Sequence, residues 1–435
     1  MNDHYKYLKY KTKYLNSLGK LNNSPHKEEG LIGGKKKNKH RIVGGNEQHI
    51  TDFLRKTNFE TIKKNIIGTI HNEKYCALTL GEGIAGSVIV PGINREENIT
   101  INEKNISVPI AVKIAKESDP VFADEFDDTL YIYSPRNLTM EVIILSFINE
   151  LWYKGLTPHL PFMIGYSCCE DAFVNRIITE RCGLKHRITT KISGYNEKPL
   201  WLQQQDTFLS LITTLQNLLQ YILLNDIDGN ITLPNGIKCD ICELIDYVCM
   251  SFVHTCNLLQ KHNIFIADLH LNNIFIHWLD KNSHMGDKNI ENVEHIIYKI
   301  DDTMYKTKTF GFIIKFGDVG AFIVAPRKDV IVLGMANNMS DNYKLVQQRM
   351  KENYNLHSFF LKIKLVLPMK YFNKIILYKI MDIYPYNTLS LLCENISYDA
   401  LEHLLYPNEV MQYFSQYKVI DKVSKTDKVL FVEEF

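Results

Sequence analysis

Several short stretches of this chain carry side chains suited to handling a charged substrate. Gly81-Glu82-Gly83-Ile84-Ala85-Gly86-Ser87-Val88 has the pattern G-x-G-x-x-G-x-V. Glycines at that spacing let the backbone close over phosphate oxygens and offer N–H donors with no side chain in the way. Lys113 is the one cation in the apolar run Val108-Pro109-Ile110-Ala111-Val112-Lys113-Ile114. An ammonium there is costly unless a carboxylate pairs with it. Asp268 and Asn273 lie in a short polar core between the apolar flanks of Asn263–Ile276. Asp318 ends the apolar run Phe312–Phe316 in a D-x-G, Asp318-Val319-Gly320. Each stretch alone has an ordinary reading: a glycine turn, an edge lysine turned to water, or a polar turn between buried strands.

The elements around these residues decide how they can meet. Tyr75–Leu80 and Ser87–Val90 read as strands, so the glycine run closes a hairpin. A dinucleotide-binding loop would need a helix after its third glycine, whereas Ser87-Val88-Ile89-Val90-Pro91 is strand-like and ends at a proline. A helix is expected from Ser134-Pro135 to Gly155, with serine at the cap, proline in the first turn and glycine past the end. Glu141 shares a face of it with Ile144, Leu145, Ile148 and Trp152, while Glu150 lies near the opposite side. Glu141 is therefore the expected partner of Lys113. Arg176–Gly183 reads as a strand running into a glycine connector. Helices are expected over Trp201–Leu224 and Ile241–Gln260, and polar loops over Asn94–Asn105, Asp124–Asp128, Asn225–Gly236 and Lys281–Lys308. Asp329-Val330-Ile331-Val332-Leu333-Gly334 is expected to open a further helix, and the remainder reads as helical.

Composition sets the frame. The chain has 435 residues, 45% hydrophobic and 23% charged, with a net charge of +1. That length fits two or three domains, or two lobes with inserts. The balance gives no argument for nucleic acid, and no apolar run reaches the length of a membrane span. The opening residues lack the apolar core of a signal peptide, so a soluble protein in a reducing compartment is expected, with its nine cysteines as free thiols. Cys239-x-x-Cys242 has no second close pair, which argues against a zinc ribbon. Residues 1–45 form a basic zone with few acids, either a solvated tail or an arm that docks nucleic acid, an acidic protein partner or a membrane surface. Its KYLKYKTKYL stretch resembles the N-termini of proteins of mimivirus-like giant DNA viruses, which implies a location in host cytoplasm or virion.

Glycine loop, strand Lys113, helix Glu141, D-x-x-x-x-N at Asp268 and D-x-G at Asp318 occur in that order, each in a suitable local context. Together they resemble the protein-kinase-like superfamily over about residues 60–345. The resemblance implies an α+β, bilobal kinase-like fold. Its N-lobe, 46–180, would be an antiparallel sheet with one long helix. Its C-lobe, 181–435, would be mainly helical, with inserts at about 184–240 and 279–309. It also implies ATP and Mg²⁺. Gly81, Gly83, Gly86 and Val88 would cover the nucleotide phosphates, which Lys113 and Glu141 position. Thr179, Glu180 and Cys182 would line the adenine site. Asp268 would be the catalytic base, with Asn273 and Asp318 as metal ligands. The implied reaction is transfer of the ATP γ-phosphate to a protein Ser or Thr hydroxyl. The alternatives are a small-molecule phosphotransferase of the aminoglycoside or choline type and a catalytically silent binding scaffold. The chain departs from the family pattern in having Ile266 and Ala267 before the aspartate, His270 two residues after it, Val319 inside D-x-G, and no A-P-E downstream.

Overall fold

The computed structural model describes residues 40–42, 77–82, 86–91, 96–101, 104–115, 121–126, 128–133, 138–168, 174–182, 212–266, 269–327, 330–333, 354–371, 374–381, 405–419 and 428–432. The chain divides into two units, Met1–Lys39 and His40–Phe435, and all described residues belong to the second. The division falls before Gly45 because His40–Ile42 is a strand paired with Val121–Phe126.

The architecture is mixed α+β. One antiparallel sheet runs Ala77–Glu82, Gly86–Pro91, Lys104–Ala115, Val174–Glu180, Met163–Cys168, with Glu96–Ile101 also pairing along Lys104–Ala115. The even-numbered residues Ile106, Val108, Ile110 and Val112 pack with Trp152, Phe162, Ile164 and Ile178. Period-two alternation puts Ala111 and Lys113 on the other face. Helix Leu138–Tyr153 buries Ile144, Leu145 and Ile148 in the same cluster as Ile177, the cross-strand neighbour of Lys113. Gly155, at φ +66°, follows that helix in the left-handed region, and residues 134–137 of the expected cap lie outside the described set.

A second sheet runs His40–Ile42, Val121–Phe126, Thr129–Tyr133, Val330–Leu333, Phe322–Arg327, Ile264–Ile266. The expected loop at Asp124–Asp128 is thus largely a hairpin arm. Within the expected helix start at Asp329–Gly334, the described residues Val330–Leu333 are instead a strand, parallel to Thr129–Tyr133. Val330, Ile331 and Val332 are β-branched in succession, which favours a pleated over a helical backbone. Asn94–Asn105, expected as a loop, also holds a strand.

Beyond Cys182 helices alternate with hairpins, so among the described residues this part is not mainly helical. Of the helix expected over Trp201–Leu224, Leu215–Asn225 is present, capped by Thr214; the stretch 201–211 lies outside the described residues. The central helix Ile241–Lys261 is capped by Asp240, whose carboxylate accepts from the amides of Cys242 and Glu243. It is buried along nearly its whole length, and Cys239, Cys242, Cys249 and Cys256 are free thiols. The polar stretch 225–236 contains the strand Asn230–Thr232, paired with Lys238–Asp240. The insert Lys281–Lys308 is folded too: His295–Ile300 and Thr303–Lys308 form a hairpin, extended by Val429–Val432. Ile296, Tyr298, Ile300 and Tyr305 hold it on the core, so its charges lie on a solvated face of a buried hairpin.

Candidate functional site

The site is built on the odd-numbered face of the Lys113 strand. Directly opposed residues of antiparallel strands share a face. Val88 opposes Lys113, Ile177 opposes Lys113 from the other side, and Thr179 opposes Ala111. Val88, Ala111, Lys113, Ile177 and Thr179 therefore line one surface of a sheet whose edge hairpin pairs Gly81 with Val88, and Gly86 with Ala115. A register shift between Thr79 and Gly81 bends the hairpin at its first glycine. Gly83 lies outside the described residues.

Lys113 Nζ donates to Glu141 Oε2 at 2.6 Å and lies 3.4 Å from Asp318 Oδ1. Glu150 is on the far side of the helix, half-buried, 3.9 Å from Lys154 Nζ. Burial by itself would lower the Lys113 ammonium; the Glu141 and then the Asp318 carboxylate outweigh it and hold the lysine above its usual range. Lys113 is thus a fixed cation between two carboxylates. Asp318 adopts the left-handed conformation, φ +52°, and a short turn Val319–Ala321 follows it. A Cβ on Gly320 would lie 3.1 Å from Glu141 Oε2, so the glycine leaves room for the carboxylate. Sequence reasoning took this glycine only as part of a turn.

Asn273 ends the short turn Leu271–Asn273, and its carbonyl accepts from the Gly317 amide at 2.7 Å. The asparagine loop and the loop of Asp318 are thereby bonded backbone to backbone. Phe275 closes over the same point, since a Cβ on Gly317 would meet its ring. Asp268 and Ala267 lie outside the described residues. Among the described residues no three His, Cys, Asp or Glu side chains are grouped to hold a metal ion by themselves.

At the end of the Val174–Glu180 strand, Glu180 turns its carboxylate inward. Lys315 Nζ donates to both its oxygens, at 2.7 and 2.6 Å, with the lysine side chain 1% and the glutamate 5% exposed. The side chain expected to border the adenine site is therefore committed to an ion pair, which leaves the backbone. The Glu180 amide donates to Phe162 and the Arg181 amide to Pro109. Cys182 is half-buried with Sγ 3.9 Å from the Glu180 carbonyl; burial, then the Glu180 charge, push its thiol up to about 12, so it stays protonated. Lys315 was legible only as part of an apolar strand, since its partner lies 135 positions earlier.

No protein-family model matches the chain, and no curated protein matches it in sequence.

Proposed function

We propose that this protein is an ATP-dependent phosphotransferase of the protein-kinase-like superfamily, acting on a protein Ser or Thr hydroxyl. The observation that carries the reading is the Lys113–Glu141–Asp318 cluster beside the face of Val88 and Thr179. It joins residues far apart in the chain in the order and types that phosphoryl transfer from a nucleotide uses. Glu141 fixes the Lys113 ammonium, which then grips nucleotide phosphate oxygens without reorganising when charge develops. Gly81 and Gly86 leave the hairpin backbone free to approach those phosphates. Asp268 accepts the proton of the acceptor hydroxyl.

The donors suit Mg²⁺ in its usual protein setting, in which one or two side-chain oxygens share the ion with substrate phosphates. Asp318 and Asn273 are hard oxygen donors on two loops joined by the hydrogen bond from the Gly317 amide to the Asn273 carbonyl. Bound there, the ion would neutralise charge on the transferring phosphate.

The test is a thermal melt and a labelled-phosphate assay on the full chain. Mg-ATP at about 100-fold over its Kd should stabilise the fold by about 2.7 kcal/mol. Label should pass to an acidic or a basic test protein, and Asp268→Asn should abolish transfer while sparing nucleotide binding. Label passing instead to an aminoglycoside or choline would move the acceptor class. Binding without transfer would leave a scaffold, and a melt unmoved by millimolar Mg-ATP would end all nucleotide readings.

A further inference from the structure

The chain that follows Asp318 is apolar although it borders a charged site. From Val319 to Leu333 it reads V-G-A-F-I-V-A-P-R-K-D-V-I-V-L, and no Ser, Thr or Tyr stands between Asp318 and Ser340. Phe322–Arg327 and Val330–Leu333 form an antiparallel hairpin, with Lys328 and Asp329 as the residues between its arms. The hairpin is interior to its sheet. Phe322–Arg327 also pairs with Ile264–Ile266, and Val330–Leu333 also pairs with Thr129–Tyr133, so each arm has a strand on both sides. Phe322, Val324 and Val332 are buried in the main core with Ile132, whereas Ile323, Ile331 and Leu333 are buried in a smaller cluster with Tyr131. Strand alternation puts these two sets on opposite faces, so both faces are covered.

This hairpin links the two carboxylates that meet Lys113. Asp318 leads into it through the short turn Val319–Ala321. Its neighbour Thr129–Tyr133 leads, through residues 134–137, into the helix Leu138–Tyr153 that carries Glu141. The helix packs on the turn and on both arms of the hairpin, and Gly320 in the turn faces the Glu141 carboxylate. The elements bearing Glu141 and Asp318 are thus tied to each other by strand pairing and by packing. A segment that phosphorylation switches is built differently. It lies at the low end of local stability and is ordered by a phosphate that pairs with arginine. Strand partners on both sides and burial on both faces put this hairpin at the high end.

We propose that the hairpin of Phe322–Arg327 and Val330–Leu333 is a built-in clamp that holds Glu141 and Asp318 on Lys113, so that the site is assembled as synthesised, without a phosphate to order it. The regulatory half rests on the reading of this cluster as a phosphotransfer site; the clamp itself does not.

The experiment joins hydrogen exchange to the labelled-phosphate assay, on the full chain made in bacteria and either treated with phosphatase or left untreated. In the treated protein the amides of 322–327 and 330–333 should exchange within about 10-fold of those of the central helix Ile241–Lys261. Their exchange and the rate of transfer should differ by less than about 2-fold between treated and untreated protein. Ile331→Ala opens a hole in the smaller cluster, on the face away from the main core. It should speed exchange by about 10-fold or more in both arms and in the first turns of the Glu141 helix, while the central helix keeps its protection. Ile331→Val removes one methyl and should do the same on a scale of about 3-fold; it replaces the alanine variant if that does not fold. Hairpin amides in the wild type that exchange faster than the stated limit overturn the clamp. So do arms that the substitution leaves unmoved, or loosened arms beside an unchanged Glu141 helix. A larger fall in protection or transfer on dephosphorylation overturns the regulatory half and leaves the phosphotransfer reading standing. A wild type that transfers nothing in either state overturns that reading and the regulatory half with it, and the exchange results alone then decide the clamp.

Discussion

Lys113 shows how a single side chain can be forced into a role by what surrounds it. A lysine on the inner face of a sheet must be neutralised or excluded, and here a carboxylate from a packed helix meets it at 2.6 Å. Glu141→Gln leaves the ammonium beside the Asp318 carboxylate, pulling it toward a group proposed to serve the metal. We expect kcat/KM for Mg-ATP to fall by about 100-fold, the scale on which a fixed electrostatic contact acts in phosphoryl transfer. Glu150→Gln, on a surface pair, should change it by less than about 3-fold. Equal effects of the two substitutions would remove the Lys113–Glu141 pair from the mechanism. Gly320 tests the same geometry from the other side. Gly320→Ala puts a methyl 3.1 Å from Glu141 Oε2 and requires the carboxylate to give way. It should cost about 1 kcal/mol in a denaturant melt, as overpacking does, and raise KM for ATP. A variant as stable and as active as wild type would show that Glu141 moves freely.

At the scale of elements, the Glu180–Lys315 pair ties the end of one sheet to the strand that carries Asp318. His277 Nε2 lies 3.9 Å from the same carboxylate, but burial, then the Lys315 charge, hold it well below its usual range, so it brings no positive charge. Lys315→Met therefore strands a buried carboxylate and should destabilise by about 3–5 kcal/mol in urea melts. Adding Glu180→Leu should recover most of that, because an apolar pair of similar volume avoids the desolvation of two ions. A double variant no better than the single would show that the pair does more than cancel charge. These contacts mark the limit of what the sequence disclosed. Ile241–Lys261 and Phe312–Phe316 were legible because apolar periodicity is local, and Glu141 was separable from Glu150 by helical face. Val330–Leu333 misled because a short apolar run has no period of its own and tertiary pairing decides it. The hairpins within 281–308 were hidden because their exposed faces are charged, so composition spoke for a loop while alternation built a strand. Lys315 and Gly320 act through partners distant in the chain, and no local pattern announces them.

Four histidines among the described residues are held neutral by burial, and this gives the stability of the whole molecule a pH dependence. Burial drives His159 down to about 3 and His357 to about 4, and holds His254 and His277 well below the ordinary value of 6.5. His159 Nδ1 donates to the Ile314 carbonyl, so its Nε2 accepts from the Tyr298 hydroxyl, an arrangement that requires the neutral ring. In the unfolded chain each of these rings takes a proton near pH 6.5, whereas in the native state it does not. Between about 6.5 and the native values the unfolded state binds more protons, and stability falls as pH falls. Asp246 opposes this. Burial raises it to about 7, so from about pH 7 to its unfolded value of 3.8 the native state holds the extra proton and gains stability on acidification. Four histidines against two carboxyls that burial raises, Asp246 and Glu141, leave a net loss, at about 1.4 kcal/mol per pH unit for each uncompensated proton. Against a typical total of about 5–15 kcal/mol, each such proton is a sizeable fraction of the stability. Melting temperature should therefore drop steeply from pH 6.5 to pH 5 and change little from 7 to 8. Asp246→Asn removes one opposing group and should steepen the acid loss, while a melting temperature flat between pH 7 and 5 would mean that these rings are protonated in the fold.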